Sequence, residues 1–236
     1  MQITGSVALV TGANRGLGKA FVQALLNAGA TKIYAAARNP ETIEPVAGVV
    51  PIKLDVTSSA DIQSAAARFK DVNILINNAG INTRSVDALD PASIDTLRKE
   101  AETNVFGPLA LVQAFAPILA ANGGGAVLNV LSALSWVSMT GAETYCATKS
   151  AAWSLTNGLR HVLSQRGTQV VALHVGFMDT DMTRGLPVPK ADPNDVARDA
   201  LAAIAKGEVE ILADATSVQL KQALSAGVYL KPLARG

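Results

Sequence analysis

The sequence predicts an α/β fold on a doubly wound parallel sheet: one domain with about seven strands and helices on both faces. Three observations carry this. Short apolar runs alternate with amphipathic helical stretches along the chain. The glycine-rich stretch TGANRGLG lies between the first such strand and the first such helix. No linker, repeat or low-complexity segment interrupts the alternation, so residues 1–236 read as a single unit large enough to bury a core.

Ser6 to Val10 forms the first short strand and Lys19 to Asn27 the first helix. Between them, Gly12, Gly16 and Gly18 allow a tight turn and close approach to a pyrophosphate, whose charge the helix N-terminal amides meet. Leu17 belongs to the same cofactor-facing turn. Thr31 to Ala37 is the second strand, and the residue at its end decides between dinucleotides. An acid there holds a 2'-hydroxyl, whereas a 2'-phosphate needs a cation. This chain has Ala37 followed by Arg38, with Arg15 in the glycine turn as a second cation. The pattern favours NADP over NAD, against the alternative that both arginines are solvated surface groups.

Val49 to Leu54 is the third strand, followed by Asp55 and Val56. Asp55 can face an adenine amino group or serve as a local cap. Thr57, Ser58 or Ser59 starts the next helix, with Asp61 in its first turn. Val72 to Ile76 is the fourth strand and leads into Asn77, Asn78, Ala79 and Gly80, small enough at the end for close backbone approach. Pro91 to Glu102 is helical, and a long apolar helix runs from Asn104 to Ala121, with Pro108 and Pro117 affecting its ends and curvature. Asn104 is either a satisfied buried amide or part of a proton relay.

Ala126 to Leu131 is a strand that delivers Ser132, a hydroxyl suited to steadying a carbonyl oxygen, with Ser135 as a rival. The helix Thr144 to Gln165 carries Tyr145 and Lys149. Their i to i+4 spacing stacks phenol and ammonium on one face, where a cation favours phenolate and fits Tyr145 for proton transfer. A Tyr-x-x-x-Lys pair is weak alone and gains weight only from agreement with the other features. Thr168 to Val175, the helix Asp192 to Ala205 and Val209 to Leu212 complete the alternation. The tail 213–236 is left unassigned.

Composition excludes several classes. Lysine plus arginine (20) nearly cancels aspartate plus glutamate (19), so the net charge of +1 argues against a nucleic-acid-binding surface. No secretory leader is evident and no unbroken apolar run reaches the ~18 residues needed to span a bilayer. The one cysteine, Cys146, forms no internal disulfide or cysteine zinc site, and His161 with His174 gives no metal-ligand pattern. A cytoplasmic protein with no metal is expected.

TGANRGLG, NNAG, Asn104 with Val105 and Gly107, Ser132, and Tyr145 with Lys149 together resemble the short-chain dehydrogenase/reductase family over nearly the whole chain. The glycine spacing is similar to the compact single-domain branch, which implies a Rossmann-like fold. The resemblance implies that Tyr145 protonates the carbonyl oxygen during reduction and Ser132 holds that oxygen. Lys149 would lower the phenol's pKa and bind the nicotinamide ribose, and Asn104 would join a water-mediated relay. Asn78, Ala79 and Gly80 would border the cofactor, Asp55 and Val56 would lie beside adenine, and Arg15 and Arg38 would sit where NADP-preferring members are basic. The chain departs from the family's common Pro-Gly after the sixth strand, having Val175 and Gly176, while Thr180 keeps the place of a threonine that contacts the carboxamide.

An NADP(H)-dependent carbonyl reductase is therefore expected, with an NAD-preferring enzyme or a non-catalytic dinucleotide sensor as alternatives. The short connection from Asp181 to Pro193 predicts an open cleft lined by Leu134, Trp136, Phe177, Met178 and Met182, which suits bulky apolar ketones or aldehydes. The same side chains also suit ordinary core. The two long apolar helices predict a homodimer or homotetramer.

Overall fold

The computed structural model describes residues 1–83 and 87–231, and among these seven parallel strands form one sheet. They are β1 (Val7–Thr11), β2 (Lys32–Ala37), β3 (Val49–Lys53), β4 (Ile74–Asn77), β5 (Gly125–Val130), β6 (Thr168–His174) and β7 (Glu210–Leu212). Their spatial order is β3-β2-β1-β4-β5-β6-β7. The order reverses direction between β1 and β4, which opens a crevice at the carboxyl ends of the strands. Register places the site there: Val10 pairs with Ile76 and Asn77 with Asn129, so the segments after β1, β4 and β5 emerge side by side.

The helices are α1 (Gly16–Asn27), α2 (Ser59–Arg68), α3 (Ser93–Ala101), α4 (Gly107–Ala121), α5 (Glu143–Ser164), α6 (Pro193–Lys206) and α7 (Ala215–Gln222). Ala8 and Val10 join one apolar core with Phe21 of α1 and Ile204 of α6. Leu9 between them joins the opposite core with Ile62 of α2 and Phe115 of α4. Burial on both faces explains why these strands read as unbroken apolar runs rather than alternating ones.

Three local features differ from the sequence reading. The first helix begins at Gly16 rather than Lys19, because Gly16 and Gly18 already lie in its first turn. The separate helices expected over 91–102 and 104–121 are one continuous helix, Ser93–Ala121, joined by a π turn at Glu102–Phe106 that carries Asn104. Pro108 stands two residues past this π turn, where the regular i to i−4 ladder is already interrupted. Counted as a helix rather than as an unbroken apolar run, these 29 residues contain an 18-residue window of mean hydropathy 1.6, long and apolar enough to cross a membrane. Half of that window is buried inside the protein, with Leu111, Phe115 and Leu119 fully buried in the core. The tail is ordered into α7 and two short 3₁₀ turns, Leu224–Ala226 and Val228–Leu230; its residues 232–236 lie outside those described.

Candidate active site

Ser132 stands two residues beyond β5, as the N-cap of a 3₁₀ turn at Ala133–Ser135. Its Oγ accepts from Leu134 N at 3.1 Å, while Ser135 Oγ accepts from Ser132 N at 3.3 Å. This reciprocal cap separates the two serines: Ser135 braces the turn from within the core, and Ser132 faces the crevice. The Ser132 hydroxyl and the Tyr145 phenol border the same cleft, close enough for the serine to bear on the phenol's pKa. Tyr145 and Lys149 share a face of α5, with Lys149 Nζ 5.6 Å from the phenol ring centroid and donating to Val130 O at 2.9 Å. All three side chains line one cleft.

Burial pushes the Tyr145 phenol well above its usual range, and the neighbouring Ser132 hydroxyl only partly opposes this. Dehydration dominates the phenol, and Lys149 is not among the groups that move it. The same burial lowers the Lys149 ammonium to about 8. The Tyr145 phenol is thus neutral at pH 7, and Lys149 carries most of its charge only below about 8.

Asn104 Oδ1 accepts from Ile81 N at 2.9 Å, and its Nδ2 donates to Ile81 O at 2.8 Å and Thr148 Oγ1 at 3.1 Å. Thr148 Oγ1 in turn donates to Tyr145 O at 2.8 Å. The side chain is thus a satisfied buried amide that braces the segment after β4 against α5. Sequence reasoning did not find Thr148, since a threonine inside a helix carries no signal until its cross-helix partner is known.

The cleft has a volume of about 970 Å³, at the upper end of ordinary ligand pockets. Every residue assigned to the cofactor from the sequence lines it except Gly18. Gly18 acts from behind: a Cβ there would stand 2.0 Å from Gly12 O and 2.6 Å from Asn78 Nδ2. Asn78 Nδ2 donates to Thr11 O at 2.8 Å, and Thr11 Oγ1 accepts from both Asn78 N and Ala79 N, lacing the glycine turn to the NNAG segment. A cradle whose walls leave no room for a Cβ, closed by Ala37 and Arg38 without an acid at the end of β2, fits a phosphorylated dinucleotide. Asp55 accepts from Thr57 N at 2.9 Å and Thr57 Oγ1 at 2.8 Å, and the backbone bond chiefly holds its carboxyl below the usual range. It is a local cap that also borders the cleft. Arg15 is 70% exposed and leans across the cleft to Asp181 Oδ2 at 3.0 Å, a carboxylate that Arg184 also holds.

The proposed substrate residues divide. Met178 and Met182 line the cleft; Leu134, Trp136 and Phe177 do not. Leu134 packs in a small core with Trp136, Leu220 and Val228, so the tail occupies the side where a substrate wall was expected. Trp136 is 8% exposed and stacks on His174 with ring centroids 4.0 Å apart. Phe177 contributes its carbonyl to Ala191 N at 2.8 Å, on the segment leading to α6. Thr83, Lys99, Glu102 and Thr103 line the cleft unforeseen, and make its α3 side polar.

Burial holds the His174 imidazole down at about 4, against an ordinary 6.5; Glu210 opposes the shift, and Lys221 and Lys149 add to it. Between those two values the unfolded chain binds the proton and the folded one does not, so stability is full above 6.5 and falls as pH drops toward 4. Over that window the native protein is expected to lose about 3 kcal/mol more than His174→Asn. Urea unfolding of both proteins at pH 7 and pH 4.5 measures the difference; equal slopes would show that the imidazole is solvated.

The family model described as short chain dehydrogenase matches residues 6–190. The chain belongs to the short chain dehydrogenase family. It is 30% identical to an NADP-dependent 3-hydroxy acid dehydrogenase of Schizosaccharomyces pombe, over 98% of each chain. A short chain dehydrogenase from Burkholderia cenocepacia, solved in complex with NADP, superposes with a TM-score of 0.91 at 39% identity, covering 96% of this chain and 95% of that one. A gluconate 5-dehydrogenase from the same organism, in complex with NADP and tartrate, superposes at 0.79 with 26% identity, covering 89% and 94%. The short chain dehydrogenase assignment, with the sheet order above, makes this an oxidoreductase with a Rossmann-like fold.

Proposed function

We propose that this oxidoreductase uses NADP(H) to reduce a ketone or aldehyde to the alcohol, or to run the reverse, with Tyr145 moving the proton. One observation carries the reading: Ser132, Tyr145 and Lys149 converge on the same cleft as the glycine turn. The dinucleotide held there supplies or accepts the hydride. The chain does the rest. Gly12, Gly16 and Leu17 at the start of α1 receive the pyrophosphate, Asn78 to Gly80 border the ring side, and Lys149 and Thr180 hold the nicotinamide end. Ser132 donates to the carbonyl oxygen, and Tyr145, kept neutral by burial, gives that oxygen its proton. NADP in the Burkholderia complex and in the S. pombe relative supports the cofactor choice. The polar α3 wall supports substrates with a polar or acidic end over purely apolar ones, in line with the hydroxy acid and gluconate activities of those relatives.

A second reading, NAD preference, draws on the engagement of Arg15 with Asp181, which leaves Arg38 as the cation free for a 2'-phosphate. Initial rates with NADPH and NADH over a panel of oxo acids, ketones and aldehydes separate the two. Arg38→Ala is expected to raise the KM for NADPH roughly 10- to 100-fold, the loss of one charge-assisted contact, and to leave that for NADH unchanged. Equal effects on both would remove Arg38 from the phosphate site. Tight NADPH binding without turnover across the panel would favour a dinucleotide sensor.

Assembly as a homodimer or homotetramer follows from α4 and α5. Val162 and Phe106 are exposed, and Leu109, Leu155 and Leu159 are only half-buried. Sedimentation equilibrium is expected to give a multiple of the 24.3 kDa chain mass; a monomer would end the proposal. A cytoplasmic setting accords with the buried free thiol of Cys146.

A further inference from the structure

Behind Ser132, on the side away from the cleft, His174 at the end of β6 is fully buried and places Nδ1 3.0 Å from Ser132 O. The contact is long-range, 42 residues apart in the chain, and it bears on the backbone of the residue whose hydroxyl meets the phenol. We propose that His174 is a positioning residue for Ser132, its Nδ1–H holding the Ser132 carbonyl so that the hydroxyl stays aimed into the cleft.

A carbonyl can only accept, so Nδ1 must carry the proton and Nε2 must be the bare nitrogen. Among the described residues Nε2 has no hydrogen-bond partner, and it stands 3.8 Å from Glu210 Oε1, too far for a bond. Glu210 is itself taken up by Lys221 Nζ at 2.8 Å. The ring therefore has a single polar tie, and that tie is to Ser132. Its plane is fixed by Trp136 stacked at 4.0 Å, and Trp136 is held edge-on by Trp153 at 6.3 Å. The His174 backbone is fixed as well: its carbonyl accepts from Ala213 N at 2.9 Å and from Ser217 Oγ at 3.2 Å. The tail thus supports the site from a distance, since α7 and the segment before it clamp β6, and β6 holds the serine.

Around Ser132 each polar group has a partner. The N–H goes to Ser135 Oγ, the carbonyl accepts from Ser135 N and His174 Nδ1, and Oγ accepts from Leu134 N. What remains is the hydroxyl proton, the group a substrate oxygen needs. Without His174 the carbonyl keeps only the bond from Ser135 within the same short turn; the turn is still tied by Ala133 N to Val175 O and by Ser150 Oγ to Ser135 O, but Ser132 itself loses its one long-range side-chain anchor.

The inference rests on the role proposed above for Ser132, and two measurements keep their failures apart. In NADPH-dependent reduction, His174→Leu is expected to lower kcat about tenfold or more, since small misplacements of a reacting group are costly, with substrate KM and NADPH affinity within about twofold. His174→Asn, whose amide Nδ2 can stand where Nδ1 stood, is expected to restore most of that loss. Native kcat in His174→Leu, or an Asn variant no better than Leu, would overturn the proposal. Independently of turnover, long-range proton–nitrogen spectra of the native protein should show a slowly exchanging proton on Nδ1 and none on Nε2 at pH 7, the exposed His161 being assigned by its removal. An Nε2–H tautomer would overturn the hydrogen bond even if the enzyme is active. Absence of turnover with the Nδ1–H tautomer present would instead overturn the function assigned to Ser132, and the positioning role with it.

Discussion

Replacing Tyr145 by Phe is expected to lower kcat by roughly 10³-fold while the NADPH dissociation constant stays within about twofold. The change removes one oxygen and leaves the ring in its half-buried place on α5, so the fold has little to readjust. What is lost is specific. Under the proposed function the phenol is the proton donor, kept neutral by burial and placed beside Ser132 in the cleft. Lys149 cannot replace it, because its Nζ donates to Val130 O and approaches the ring face, not the place of the hydroxyl. Stopped-flow measurement of NADPH consumption, with fluorescence titration of cofactor binding, separates the two quantities. A variant that keeps more than about a tenth of native kcat would move proton transfer to another group.

The alternation of strands and helices was legible because the central strands are buried on both faces and the helices on one, which leaves a pattern in the residues themselves. The site was legible where backbone geometry dictates residue type. Gly12, Gly16, Gly18 and the NNAG segment admit few substitutes, and Tyr145 with Lys149 is a spacing that only a helix brings together. Trp136 and Leu134 could not be placed the same way. An apolar side chain next to a reactive serine suits a substrate wall and a core equally, and the choice was made by the tail, whose α7 and Val228 cover that side. The π turn under Asn104 was hidden for a similar reason. Its extra residue per turn is set by what Asn104 reaches, Ile81 and Thr148, and neither contact leaves a mark in the local sequence. His174 read as a lone histidine without a metal pattern, and only the pairing of β5 with β6 brings it to Ser132.

Gly18→Ala is the sharpest test of the cradle, because it adds one methyl group to a residue that does not line the cleft. Gly18 has an ordinary helical backbone, so the substitution carries no conformational penalty and even gains helix propensity. The difficulty is space. The new Cβ would meet Gly12 O at 2.0 Å and Asn78 Nδ2 at 2.6 Å, and the first of these is backbone that cannot swing aside. Either α1 moves off β1 or the glycine turn opens, and both displace the amides that receive the pyrophosphate. Overpacking of this kind costs about 1–3 kcal/mol, which for a chain of this size lowers Tm by roughly 2–12 °C. NADPH affinity is expected to fall by about 100-fold, since misplaced amides lose several hydrogen bonds at once. If Gly18→Ala bound NADPH as the native protein does, the glycine turn would not be the pyrophosphate site. The cleft would then have to hold its ligand by the side chains of β2 and β3 instead.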